Sequence, residues 1–128
     1  MADLLLDSDV VIWHLRGRPA VVELVTRLAD AHRLGISVIV RAEVLSGARA
    51  SEVPATVAFL DACETLAADR LVADRAAELV RGHRPRDMTV ALPDALIAST
   101  GLLHGIPLYT CNARHYAFEG LEVREVKP

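Results

Sequence analysis

Leu4-Leu5-Leu6-Asp7-Ser8-Asp9-Val10-Val11-Ile12 is the stretch whose reading decides the fold. Its leucines run without polar alternation, the pattern of a strand covered on both faces, and we place that strand over about residues 3–6. Asp7-Ser8-Asp9 then supplies side-chain oxygens of the kind that accept from the free N–H groups of a starting helix. A buried strand passing directly into a helix is the opening of an α/β unit.

The same alternation continues outward. Arg16-Gly17-Arg18-Pro19 breaks the first helix, and Val21, Val22, Val25, Leu28 and Ala29 recur at helical spacing behind Pro19. Leu34-Gly35 reads as the stop of that helix, and the β-branched run over residues 36–40 as a second buried strand. Helices are expected over 42–50 and 55–64, with a very short strand at Leu66-Ala67. An amphipathic helix follows over 69–81, with Val72, Ala76, Leu79 and Val80 on one side, then a basic loop over 82–87. Residues 92–104 are almost wholly apolar after Asp94 and predict a buried helix ended by Gly105. Two last strands fall over 107–110 and 121–126. Strands alternating with helices imply a three-layer α/β domain, with a mostly parallel sheet of four to five strands flanked by helices. No repeat or linker divides residues 1–128, so one domain is expected.

Composition narrows the function. The chain is 52% hydrophobic, which excludes disorder, and 4% aromatic, which disfavours a base-stacking surface built on aromatics. Cys63 and Cys111 are too few for a disulfide framework and too far apart for a C-x-x-C motif. Asp3 and Asp7 interrupt any apolar leader, and no apolar run reaches the roughly 18 residues of a membrane span, so a cytoplasmic protein is expected. The net charge of −3 does not by itself announce a nucleic-acid partner. Thirteen of the 14 cationic residues are arginines and the one lysine is Lys127, which speaks against a phosphoacceptor signalling domain that needs a lysine near a late strand.

In a parallel sheet, sites form at the carboxyl ends of strands. Asp7 stands at such an end, Glu43 lies just beyond the second strand inside an apolar segment, and Asp94 opens a helix with almost no other charge. Each has a structural alternative at this stage: Asp7 and Asp94 as helix caps, Glu43 as a partner of Arg41 or Arg49. Arg16, Arg18, Arg81, Arg84, Arg86 and Arg114 are available to phosphate, and Trp13 reads as core or as an interface residue. His14, His83, His104 and His115 show no zinc-ligand spacing with either cysteine.

Four segments resemble the PIN-domain family, and within it VapC-type toxins of bacterial toxin–antitoxin pairs. They are residues 4–12 above, Val40-Arg41-Ala42-Glu43-Val44-Leu45-Ser46-Gly47, Pro93-Asp94-Ala95-Leu96-Ile97-Ala98 and Leu108-Tyr109-Thr110-Cys111-Asn112-Ala113-Arg114-His115-Tyr116. The resemblance implies a divalent-metal-dependent endoribonuclease that hydrolyses RNA, with tRNA or rRNA as the substrate. It implies Mg²⁺ or Mn²⁺ on Asp7, Glu43 and Asp94, a small VapB-like antitoxin partner, and a homodimer that becomes a heterotetramer or larger with the antitoxin. Asn112 stands where many members carry an acid, so it joins the expected catalytic set without a charge. It also motivates an alternative, a catalytically weakened module that mainly engages an antitoxin. Ser8 falls where the family usually has threonine and is expected to orient Asp7. Asp9, Thr110 and Arg114 complete the expected surroundings, as supports of the carboxylates or as RNA contacts.

Overall fold

The computed structural model describes residues 1–86 and 89–128. In chain order the elements are β1 (Leu4–Leu6), α1 (Ser8–Leu15), α2 (Pro19–Ala31), β2 (Leu34–Ser37), α3 (Val38–Gly47), α4 (Val53–Ala62), β3 (Glu64–Leu66), α5 (Arg70–His83), α6 (Leu92–His104), β4 (Leu108–Thr110) and β5 (Val123–Glu125). The leucines of β1 are all buried, as their unbroken run predicts, because the strand lies at the centre of the sheet.

The five strands lie in the order β3-β2-β1-β4-β5, and every pairing is parallel. The expectation of a mostly parallel sheet thus becomes an all-parallel one. From β1 the chain steps outward to β2 and β3, then crosses back over the sheet to β4. Right-handed crossovers made in opposite directions place α1–α4 on one face and α5 and α6 on the other. The direction reverses between β1 and β4, so the connections that leave their paired carboxyl ends run to opposite faces of the sheet and leave a crevice there. The core on either side is aliphatic, with Leu5, Leu6, Val10, Ile36, Val40, Ile97 and Leu108 fully or almost fully buried.

Several expected boundaries move. The second strand is Leu34–Ser37 rather than 36–40: Leu34-Gly35, read as a stop, is its first half, and Val38 already belongs to a helix. The cause is local. The Ser37 hydroxyl accepts from the Ile39 N–H at 3.1 Å, and this cap outweighs the strand preference of Val38-Ile39-Val40. Gly35 lies where β2 and β1 approach so closely that a Cβ would stand 2.6 Å from Ala2 Cβ and 2.9 Å from the Leu4 carbonyl oxygen. The helices expected over 42–50 and 55–64 lie at Val38–Gly47 and Val53–Ala62, and the very short strand at Glu64–Leu66. Asp69 caps α5 by accepting from the Val72 N–H at 3.0 Å. The loop expected over 82–87 is instead the end of α5 and a 3-10 turn, Arg84–Arg86; Asp87 falls outside the described residues. The last strands shorten to Leu108–Thr110 and Val123–Glu125.

Candidate active site

Asp7 follows β1 directly, with its backbone N–H still in the ladder, donating to the Tyr109 carbonyl at 2.9 Å. Its side chain, only 5% exposed, projects into the crevice between β1 and β4. One oxygen accepts from the Ser8 N–H at 2.8 Å and the other from the Thr110 hydroxyl at 2.8 Å. Asp7 does cap α1, but this structural role leaves its carboxylate in the crevice. Burial pushes its pKa up from 3.8 to about 6, and the neighbouring Asp9 charge adds to the rise, which the Thr110 and Ser8 bonds only partly offset.

Glu43 does not stand at the carboxyl end of β2. It lies in the second turn of α3, which Ser37 starts and which packs against α6. Its Oε1 is buried and has no hydrogen-bond partner among the described residues. Burial raises the Glu43 pKa, Asp94 and Asp9 raise it further, and the Ser8 hydroxyl opposes them. Ser8 therefore acts on Asp7 through its backbone N–H, while its hydroxyl bears on Glu43 instead of orienting Asp7 as expected. Neither Arg41 nor Arg49 pairs with Glu43. Arg41 bonds Asp61 at 2.9 Å, and the Arg49 N–H donates to Glu52 at 2.8 Å.

Asp94 sits in the first turn of α6, where a carboxylate is favoured by the helix dipole. Because α6 runs antiparallel to β4, that first turn lies at the same edge of the sheet as Asp7. Asp94 Oδ1 accepts from the Tyr116 hydroxyl at 3.2 Å, and Oδ2 lies 3.8 Å from His115 Nδ1. Tyr116 is 2% exposed and also faces Asp7; burial and the two carboxylates push its phenol far above the ordinary range, so it remains a proton donor. Its signal in the sequence is a buried tyrosine's need for a hydroxyl partner. His115 likewise reaches the site without any spacing rule to announce it.

The remaining expected residues form a clamp at the end of β4. Thr110 has one hydroxyl proton, and the 2.8 Å contact to Asp7 claims it over the 3.4 Å contact to Asp9. The same oxygen accepts from the Asn112 N–H at 3.0 Å. Asp9 receives the Cys111 N–H at 3.2 Å and the Asn112 side-chain amide at 2.9 Å, tying α1 to β4. Asn112 thus spends its amide on Asp9. Arg114 is exposed and lines a cavity of about 240 Å³ that Asp94 also borders. Arg16 and Arg18 lie over the Trp13 ring at 5.9 and 5.0 Å instead of in the crevice. A larger cleft of about 620 Å³ opens near Asp3, Leu34 and Cys63, at the amino end of the strands, and contains none of the three carboxylates. We place the site by its chemistry and its position at the switch point, not by cleft size.

Among the described residues, no three His, Cys, Asp or Glu side chains already enclose an ion. A hard cation such as Mg²⁺ does not require that, because it keeps several waters and takes only one or two carboxylates. The orphaned Glu43 oxygen and the raised Asp7 and Glu43 pKa values are what a site short of positive charge displays. The donor set, all oxygen, fits Mg²⁺ or Mn²⁺ and disfavours a softer ion.

An all-parallel five-stranded domain with an acidic crevice at its topological switch point defines the class. The chain belongs to the PIN-domain family, whose model matches residues 4–121. Ribonuclease VapC10 of Mycobacterium tuberculosis is 33% identical over 120 residues, covering 93% of this chain and 90% of the relative. The structure of VapBC2 from Rickettsia felis, bound to a DNA fragment from its promoter, superposes with a TM-score of 0.85 at 19% identity, over 97% of this chain and 98% of that one; it speaks for the fold alone. A toxin–antitoxin complex from Klebsiella pneumoniae gives a TM-score of 0.80 at 25% identity, over 96% of this chain and 99% of that chain.

Proposed function

We infer that this protein is the toxin of a toxin–antitoxin pair and a divalent-metal-dependent endoribonuclease, with tRNA or rRNA as its substrate. The observation that carries the reading is the convergence of Asp7, Glu43 and Asp94 from three elements, with one buried Glu43 oxygen left without a partner among the described residues. Relationship to a ribonuclease over nearly the whole chain supports the RNA substrate, and the complexes in which its fold recurs support a small VapB-like antitoxin. A homodimer that assembles with antitoxin into a heterotetramer or larger, acting in the cytoplasm, completes the proposal.

When bound, Mg²⁺ or Mn²⁺ supplies Lewis acidity toward the phosphate and a water of lowered pKa. Asp7, Glu43 and Asp94 would hold the ion, directly or through water. Thr110 fixes the Asp7 carboxylate through the hydrogen bond to Oδ2. Tyr116 fixes Asp94 and keeps its proton, so it stabilises the carboxylate pair without removing charge from it. Asp9 and Asn112 act one step back, holding the end of β4 against α1 so that Thr110 and Asp7 keep their register.

Incubating the pure protein with total RNA and Mg²⁺ or Mn²⁺ tests the reading. Cleavage should appear and should be lost in Asp7→Asn and on chelation. A folded, metal-replete wild type that cuts no more than Asp7→Asn would reject it. The commitment of Asn112 to Asp9, in place of a fourth acid at the crevice, favours one second reading: a catalytically weakened module that mainly engages the antitoxin. Growth arrest that persists unchanged in Asp94→Asn would select this alternative.

A further inference from the structure

The cavity beside Asp94 has a use that the carboxylates do not explain. It measures about 240 Å³, below the roughly 300–1,000 Å³ of sites for drug-sized ligands, and so suits one small planar fragment. Its walls include Val90, Ala91, Ala117 and Phe118, and Arg114 and the His83 and His115 rings complete the lining. Phe118 is buried, and the His83 ring meets it edge-on at 5.1 Å and 79°, so this wall is packed before any ligand arrives. His115 is half exposed, lines the cavity and stands with its Nδ1 3.8 Å from Asp94 Oδ2. Ala91, the residue preceding α6, offers no side-chain acceptor and Pro93 has no N–H, so the Leu92 and Asp94 N–H groups lack a capping side chain among the described residues and are available to an anion.

We propose that this cavity is a subsite for one unpaired nucleotide of the RNA strand next to the cleaved bond. Its base enters between the apolar wall and the His115 ring, and its phosphate lies toward Arg114 and the amino end of α6. The proposal rests on the ribonuclease reading and goes beyond it, because it names what the strand must present beside the metal-binding carboxylates. An apolar slot with an arginine at its rim suits a splayed base better than a paired one. Single-stranded RNA is recognised by such stacking, whereas a paired base keeps its faces inside the helix. The wall is also continuous with the site through Asp94, so an occupant is held at a fixed distance from the reacting phosphate.

The test uses the intact protein and a short oligoribonucleotide that carries a cut site mapped on total RNA. Abasic residues are placed singly at each position around the cut. One flanking abasic position should raise KM about tenfold and leave kcat within twofold, since base stacking is lost but the chemistry is not. Ala117→Trp, which fills the cavity from an exposed position, should raise KM for the unmodified RNA to a similar degree. It should also abolish the further penalty of the abasic residue. Arg114→Gln should raise KM by about tenfold without changing which position is sensitive. Both residues are exposed, so both variants are expected to fold, which thermal unfolding verifies. Unchanged KM in both variants, an abasic penalty that persists in full in Ala117→Trp, or a loss confined to kcat would each overturn the subsite. A wild type that yields no mapped cut would instead overturn the ribonuclease reading, and the subsite with it.

Discussion

Asp7 carries the clearest consequence at the scale of single residues. Its folded pKa of about 6 lies above the 3.8 of an ordinary aspartate, so between these values the folded protein binds more protons than the unfolded chain. Its contribution is fully present below about pH 4 and is lost as pH rises through 6. At neutral pH the ionised carboxylate therefore costs the metal-free protein up to about 3 kcal/mol. Urea titrations from pH 4.5 to 7.5 in the presence of chelator should show this decline in wild type and a flatter profile in Asp7→Asn. Thr110 is fully buried, and its hydroxyl both donates to Asp7 and accepts from Asn112. Thr110→Val keeps the shape and removes both bonds, so stability should fall by about 1–3 kcal/mol in chemical denaturation. With Asp7 no longer held, RNA cleavage should fall in kcat more than in KM. Asp7 and Thr110 were legible as candidates from the matching strings, whereas the partnership between them spans 103 residues and no local pattern encodes it.

At the scale of elements, the boundary between β2 and α3 shows how a short-range signal overrides a propensity. Val38-Ile39-Val40 favours a strand, yet Ser37 caps a helix there, and this shift carries Glu43 from the first turn of the expected helix into the second turn of α3, which packs against α6. Gly35 matters for a different reason. Its place in β2 allows the chain near Ala2 and Leu4 to approach too closely for any side chain. Gly35→Ala should therefore destabilise the protein by about 1–3 kcal/mol, read as a lower denaturation midpoint with unchanged slope. A neutral result would mean that β1 and β2 can slide apart without loss. Gly82 and Pro85 favour a loop at the end of α5, but helical bonding continues through His83 and tightens into a 3-10 turn. Element type was readable throughout from apolar spacing, and element ends were not, because they depend on caps and on neighbours in space.

At the scale of the whole molecule, the candidate site arises because β1 and β4 are neighbours although five helices and two strands follow β1 before α6 leads into β4. The sheet order creates the crevice, and α3 and α6 deliver Glu43 and Asp94 to its edge. On the proposed reading, a divalent ion that relieves their mutual repulsion would stabilise the native state by mass action, by about 2.7 kcal/mol at one hundred times its Kd. Thermal unfolding should therefore rise by several degrees with Mn²⁺ in wild type and by much less in Glu43→Gln or Asp94→Asn. In chelator, Glu43→Gln should be at least as stable as wild type, because it removes a desolvated charge. Equal Mn²⁺ shifts in wild type and both variants would place the ion elsewhere.

By itself the sequence determined the succession of strands and helices and the aliphatic core, and it singled out three candidate carboxylates, because apolar periodicity and matching strings are properties of neighbours along the chain. Only the tertiary structure decided that Asp7 opens a crevice at the centre of the sheet, and that Asn112 serves Asp9. It alone brought Tyr116 and His115 to Asp94. Those facts depend on desolvation and on hydrogen bonds between residues far apart in sequence, and both arise only when the parallel sheet assembles.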